Sequence, residues 1–280
     1  MAAVPRPARA FVPFVALALS LAWGMELLVL GSARGWIPIR IPPNSFPAFA
    51  PAIAALIVAF ARGGRAGAAS LLRAVGKWRF PPALYAVALF AIPAMMGISL
   101  TLSRLARETS GPATSLRPLS SLLMFALILV FGGPLGEEIG WRGYALPALR
   151  ARRFPILATI TVALVWFLYH IPLFWIPGSA QQQFPMGWFA FSLAAESFLM
   201  TWLYLASGES VIPSILLHAS NNFSWWAVAS VFPAALSSGT FGYAYMGLLA
   251  VAGAAAGLRI HRMAGQISRE SAPWAPPAVP

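Results

Sequence analysis

The sequence predicts an all-α, polytopic transmembrane helical bundle of about eight spans, and three observations carry the prediction. Hydrophobic residues make up 59% of the 280 and charged residues only 9%, whereas a soluble domain carries roughly a quarter charged. The uncharged runs between Arg40 and Arg62, Arg79 and Arg104, and Arg117 and Glu137 each approach or exceed the ~20 apolar residues that one crossing needs. Two longer uncharged runs, Arg153 to Glu196 and Glu209 to Arg259, each have room for two crossings joined by a turn.

Taken in order, the first span is expected near 11–31. Arg6, Arg9 and the apolar run from Phe11 mimic a signal peptide, but the run continues past Glu26 to Leu30. That is too long for a typical signal core, and the segment reads as a retained span. The remaining spans are expected near 46–61, 81–103, 119–135, 156–173, 188–206, 210–230 and 240–258. Residues 1–262 then form one bundle with its motif-bearing core at 119–230. The Pro-rich end, 263–280, which includes SRESAPWAPPAVP from Ser268, reads as a disordered cytoplasmic tail. The absence of an internal repeat argues against a transporter built from duplicated halves.

Orientation follows from the basic residues, because cytoplasmic loops hold the excess of Arg and Lys. With the N-terminus inside, thirteen of the nineteen fall on the inner side, among them Arg62, Arg65, Arg73, Lys77 and Arg79. Five fall outside: Arg34, Arg40, Arg104, Arg107 and Arg117. Both termini are therefore expected in the cytoplasm, with the plasma membrane as the location. The net charge of +12 is spread over short loops flanking apolar spans, which points to anionic lipid headgroups as partners and not to nucleic acid.

Ionisable side chains within spans cost about 2.5–3.5 kcal/mol each on insertion scales and are functional candidates by default. Here they are Glu26, Glu137, Glu138 and Glu196, with Arg142, His170 and His218. In GEEIGWRGYALPAL, Glu138 and Arg142 stand four apart with the acid first, the favourable order for an ion pair on a helix. Glu137 is turned about 100° from its neighbour, has no local cation, and is the carboxylate available for proton transfer. His170 ends the stretch VALVWFLYH, one turn after Trp166. His218 and Asn222, in HASNN, share a helix face, while Asn221 lies to one side. Glu26 and Glu196 stand alone in the sequence and are assigned no chemistry.

A carboxylate and an imidazole can deprotonate water, while a second imidazole and an amide can donate to a developing oxyanion. These are the parts of an amide hydrolase. With no Cys and no Asp in the chain, thiolate nucleophiles and paired aspartates are excluded. His170 is followed by IPLF and His218 by ASNN, which disfavours an H-E-x-x-H metalloprotease, and no G-x-S-G is present.

The ordered set Glu137-Glu138-x-x-x-Arg142, Trp166-x-x-x-His170 and His218-x-x-x-Asn222 resembles the CPBP family of intramembrane proteases. That family includes the type II CAAX prenyl endopeptidases and the Abi proteins proposed to process bacteriocins or confer immunity to them. The resemblance implies a helical bundle with a conical cavity inside the membrane, open to the cytoplasm and to lipid. It implies that Glu137 and His170 activate water, that His218 and Asn222 stabilise the oxyanion, and that Glu138 and Arg142 hold the first glutamate in place. Trp166 departs from the Phe more usual there and is expected to alter packing more than chemistry. A metal-free site is expected; zinc held by Glu137, His170 and His218, with Glu138 as base, is the alternative, since two His and one carboxylate form a known catalytic set. The substrate implied is a peptide or a membrane-anchored protein. The rival readings are a catalytically idle binding or immunity protein of the same fold, and a small proton-coupled transporter using Glu26 or Glu196.

Overall fold

A computed structural model describes residues 8–42, 47–150 and 155–270. Its helices are α1 (Ala8–Ala33), α2 (Ala50–Val75), α3 (Pro82–Leu105), α4 (Pro118–Phe131), α5 (Pro134–Gly140), α6 (Leu146–Arg150), α7 (Pro155–His170), α8 (Met186–Ala206), α9 (Ile212–Val231) and α10 (Gly239–Glu270). A π-helical turn, Trp141–Ala145, joins α5 to α6, so that α4 to α6 make one interrupted crossing. Among the described residues there is no strand, and the chain is an all-α integral membrane bundle.

Proline sets where many of these helices start. It occupies the first turn of α2, α3, α4, α5 and α9, where its missing N–H would have no helical partner in any case. Pro13 and Pro93 lie inside α1 and α3, places where a lost hydrogen bond bends a helix. Glycine sets the breaks. Gly64 (φ 56°, ψ −149°) interrupts α2, and Gly133 (φ 108°) turns the chain between α4 and α5, both in backbone regions that a Cβ disfavours.

Seven helices are long and apolar enough to cross a membrane: those of 11–33, 50–75, 82–105, 118–149, 155–175, 186–206 and 239–264. The eighth expected span is present as α9 but falls short on composition, because His218, Asn221, Asn222 and its serines dilute its hydropathy. Its position explains why that is tolerated. α9 packs against α3, α4, α5 and α8, so its polar residues meet protein and not lipid. α4 is the opposite case: it buries no residue, and Leu119, Leu122, Leu123 and Leu127 are exposed as a lipid-facing belt.

Three boundaries differ from the sequence reading. The fourth span, expected near 119–135, continues through the π-turn to Leu149. The second span runs beyond 61 as far as Val75, since past Gly64 the chain forms an amphipathic helix with Leu71 buried and Arg65, Leu72 and Arg73 exposed. The last helix reaches Glu270, beyond the expected bundle limit at 262, and residues 271–280 of the expected tail lie outside the described residues.

The connections gather at two ends. At one, Val211 N–H donates to Ala74 O (3.3 Å), Ser210 Oγ to Lys77 O (2.5 Å) and Lys77 Nζ to Gly208 O (3.0 Å). At the other, Ala113 N–H donates to Val231 O (2.8 Å), and the Glu108 carboxylate accepts from Ser238 and Thr240.

Candidate active site

The Gly133 turn leads directly into α5, whose seven residues carry both site carboxylates. Gly136 and Gly140, four apart, let this short helix lie against the start of α2. A Cβ on Gly136 would sit 2.2 Å from Ala48 O, and one on Gly140 2.4 Å from Pro51 Cβ. Small residues at such spacing allow close backbone approach between membrane helices. This contact fixes the opposite face of α5 and with it the aim of Glu137 and Glu138.

Glu138 is fully buried, as is Arg142. Arg142 Nη1 donates to Glu138 Oε1 (2.9 Å), and Nη2 donates to Ser197 Oγ (3.0 Å) on α8. The same Glu138 Oε1 lies 3.1 Å from His218 Nδ1. Since a carboxylate oxygen accepts, the ring proton of His218 sits on Nδ1 and its Nε2 faces away from Glu138. Glu138 thus ties α5 to α9, and Arg142 ties the π-turn to α8.

Glu137, also buried, accepts from Trp166 Nε1 at Oε2 (2.5 Å). His170 Nδ1 lies 2.8 Å from the Trp166 carbonyl; the carbonyl can only accept, so Nδ1 carries the proton and Nε2 is the basic nitrogen of the neutral ring. The indole is edge-on to His170 (6.1 Å) and to His218 (5.2 Å), and the Arg142 guanidinium lies 4.9 Å from its centroid. Trp166 therefore touches every charged or basic group of the set except Glu138. It does more than pack, contrary to the sequence expectation, because its N–H is a donor that Phe lacks.

A cavity of about 260 Å³ brings the pieces together: Glu137, Trp166, His170, His218 and Asn222 all line it, with Glu196 and Asn221. Glu138 and Arg142 do not line it. Asn222 Nδ2 donates to Gly132 O (3.1 Å), and Asn222 Oδ1 accepts from Asn221 Nδ2 (3.4 Å). Asn221 Oδ1 in turn accepts from Tyr245 OH (3.3 Å). Apolar walls are supplied by Phe131, Leu173, Phe189 and Leu193.

Glu196 and Asn221 are the residues that sequence reasoning set aside. The signal for Glu196 was its isolation, one buried carboxylate in a long uncharged stretch; what was missing was the rotation of α8, which turns Glu196 to the cavity. Glu26 is fully buried and neither of its oxygens has a hydrogen-bond partner, yet it does not line the cavity. Among the described residues no three His, Asp or Glu side chains are grouped to hold a metal ion. Glu137, His170 and His218 all line the cavity.

The fold and the cavity define a class: an integral membrane helical bundle with a chamber of about 260 Å³ between its helices, lined by carboxylates, imidazoles and amides as well as apolar side chains. Within that class, residues 119–224 match the family model of the Rce1-like type II CAAX prenyl endopeptidases. A CAAX prenyl protease 2 of Methanococcus maripaludis is 33% identical over 88 residues, which are 29% of this chain and 32% of that protein. The chain thus spans about a third of the length of the curated relative it matches. The resemblance to the CAAX protease family holds for this segment, which contains all seven residues named in the three motifs.

Proposed function

We propose that the protein is an intramembrane endopeptidase that hydrolyses a peptide bond near the membrane surface with a water activated by Glu137 and His170. The observation that supports this reading most is the convergence of Glu137, His170, His218 and Asn222 on one cavity from α5, α7 and α9. Nothing local in the chain requires three helices to turn these groups to the same space.

In this reading Glu137, steadied by the Trp166 N–H, takes a proton from water while His170 Nε2 accepts a hydrogen bond from the same water. The hydroxide adds to the carbonyl carbon and the negative charge moves to the carbonyl oxygen. His218 and Asn222 face that oxygen. His218 donates to it from Nε2 only as an imidazolium, since Nδ1–H is committed to Glu138, and the surrounding carboxylates offset that charge. Asn222 has two amide hydrogens: one serves Gly132, and the second serves the oxyanion. Collapse of the intermediate breaks the C–N bond, and the proton held by Glu137 passes to the leaving amine. Glu138 and Arg142 are positioning residues that fix His218 and the π-turn.

The substrate class is a peptide or a membrane-anchored protein, and the site runs without a metal. The protein resides in the plasma membrane with both termini on the cytoplasmic side. Replacing Glu137 with Gln keeps the side-chain volume and removes the base. Membranes from cells carrying Glu137→Gln should accumulate an uncut precursor that wild-type membranes lack, and chelation should leave wild-type turnover intact. Equal cutting by the Gln variant would falsify the assignment.

A further inference from the structure

We propose that Tyr245 is a positioning residue of the site, which acts through Asn221 to lock the Asn222 amide in the one sense that leaves an N–H free for the cavity. The inference rests on the endopeptidase reading for what that N–H then does, but not for how the amide is held.

An asparagine brings a donor and an acceptor of nearly the same shape to its site, and only the Nδ2 end can stabilise a negative oxygen. A half-turn of the amide would put Oδ1 in that place and make the contact repulsive. The orientation of Asn222 therefore decides whether it helps or hinders.

Three hydrogen bonds fix that orientation, and they form a chain from the end of α4 through α9 to α10. Asn222 Nδ2 donates to Gly132 O (3.1 Å), Asn221 Nδ2 donates to Asn222 Oδ1 (3.4 Å), and Tyr245 OH donates to Asn221 Oδ1 (3.3 Å). Direction passes along the chain from a group that can only accept. Because Gly132 offers a carbonyl, Asn222 must face it with Nδ2, which turns Oδ1 to Asn221; Asn221 must then present Nδ2 and turn its own Oδ1 to Tyr245. The hydroxyl supplies the last donor.

The two ends of the chain differ in strength of support. Gly132 is exposed, so water competes for its carbonyl, and one bond there would let the Asn222 amide swing. Asn221 and Tyr245 are buried. The Tyr245 ring is held by Trp225, edge-on at 5.4 Å, and by Phe241, parallel at 6.5 Å, so its hydroxyl has a fixed place. Without that hydroxyl, Asn221 Oδ1 becomes a buried acceptor lacking its donor, a state that favours rotation away from Asn222. Tyr245 lies on α10, beyond the family-matched residues 119–224, and no motif spacing names it.

The chain has three asparagines, Asn44, Asn221 and Asn222, so asparagine-selective 15N labelling of the full-length protein in detergent micelles gives three side-chain amide pairs. Asn222→Ala identifies the pair of Asn222. Tyr245→Phe should shift that pair and speed its exchange with solvent, although the hydroxyl it removes is bonded to Asn221 and not to Asn222. With the precursor that accumulates in Glu137→Gln membranes as substrate, Tyr245→Phe should lower kcat about 10-fold at unchanged KM, less than the 10²–10³-fold that loss of a whole oxyanion donor costs. In an Asn222→Ala background the same substitution should cost nothing further. Asn221→Leu cuts the chain at its middle link and should reproduce both effects, which keeps the test open if Tyr245→Phe does not fold. An Asn222 pair that stays in place in these variants overturns the proposal. So does an equal loss of kcat with and without Asn222, the mark of a merely structural tyrosine. The amide resonances do not depend on proteolysis, so a Glu137→Gln protein that cuts like wild type would remove the endopeptidase reading and leave the hold of Tyr245 on Asn222 in place.

Discussion

Trp166 holds the site together at the residue scale. Its N–H fixes one oxygen of Glu137, its carbonyl fixes the Nδ1 proton of His170, and its ring lies against His170, His218 and Arg142. Trp166→Phe keeps an aromatic face for Arg142 and both imidazoles but loses the donor. A hydrogen bond to a charged group contributes about 1.5–3 kcal/mol, so the variant should lose roughly 10- to 100-fold in kcat with KM little changed, because the lost contact orients the base and does not touch the substrate. A rise in KM at unchanged kcat would mean that the indole only shapes the cavity. The residue scale also marks what the chain makes legible. Spacing of four identified Glu138 with Arg142, since both lie on one turn. No spacing within a helix could disclose that Glu138 also holds His218, or that Trp166 reaches Glu137 across 29 positions; those depend on how separate helices are rotated against each other.

At the scale of elements, the closeness of α5 to α2 is the feature on which the aim of both carboxylates depends. Gly136 and Gly140 were visible in the sequence only as parts of a polar motif, and their steric task appears once α2 lies against them. Gly136→Ala forces a methyl into the Ala48 carbonyl and should destabilise the bundle on the order of 1–3 kcal/mol, the usual range for overpacking. Gly97→Ala, at a helical position with nothing within 4 Å, should leave the apparent melting temperature in detergent unchanged. If the two variants melt alike, the α2–α5 contact is not tight in the folded protein. The spans themselves were largely legible, because a membrane crossing demands a long uncharged stretch and little else. Where the reading departed, the cause was local: amphipathic character carries α2 past Gly64, and contact with four other helices lets α9 carry polar residues that a lipid-facing helix would reject.

Across the whole molecule, the bundle is tied at the end of the 106–117 and 232–238 connections by one exposed carboxylate. Glu108, in the connection after α3, accepts from the Thr240 hydroxyl (2.6 Å), the Thr240 N–H (2.9 Å) and the Ser238 hydroxyl (2.8 Å) at the start of α10. Ser238 is bonded in turn to Ser103 (2.6 Å), so the tie joins segments some 130 positions apart. An anion at a helix N-terminus satisfies donors that have no partner within the helix. The hydrogen bonds from Thr240, and then that from Ser238, hold the Glu108 carboxyl below its ordinary value of 4.5. A depressed folded-state value gives stability that is fully present above about 4.5 and is lost as pH falls through the lower, folded value, because the unfolded chain takes up the proton first. Glu108→Gln removes the titration while keeping an acceptor. The gap in apparent melting temperature between wild type and Glu108→Gln should be constant from neutral pH down to about 5 and should shrink at lower pH as the wild type protonates. A gap that stays the same into the acid range would mean that Glu108 acts by shape alone and that its charge does not hold this end of the bundle together.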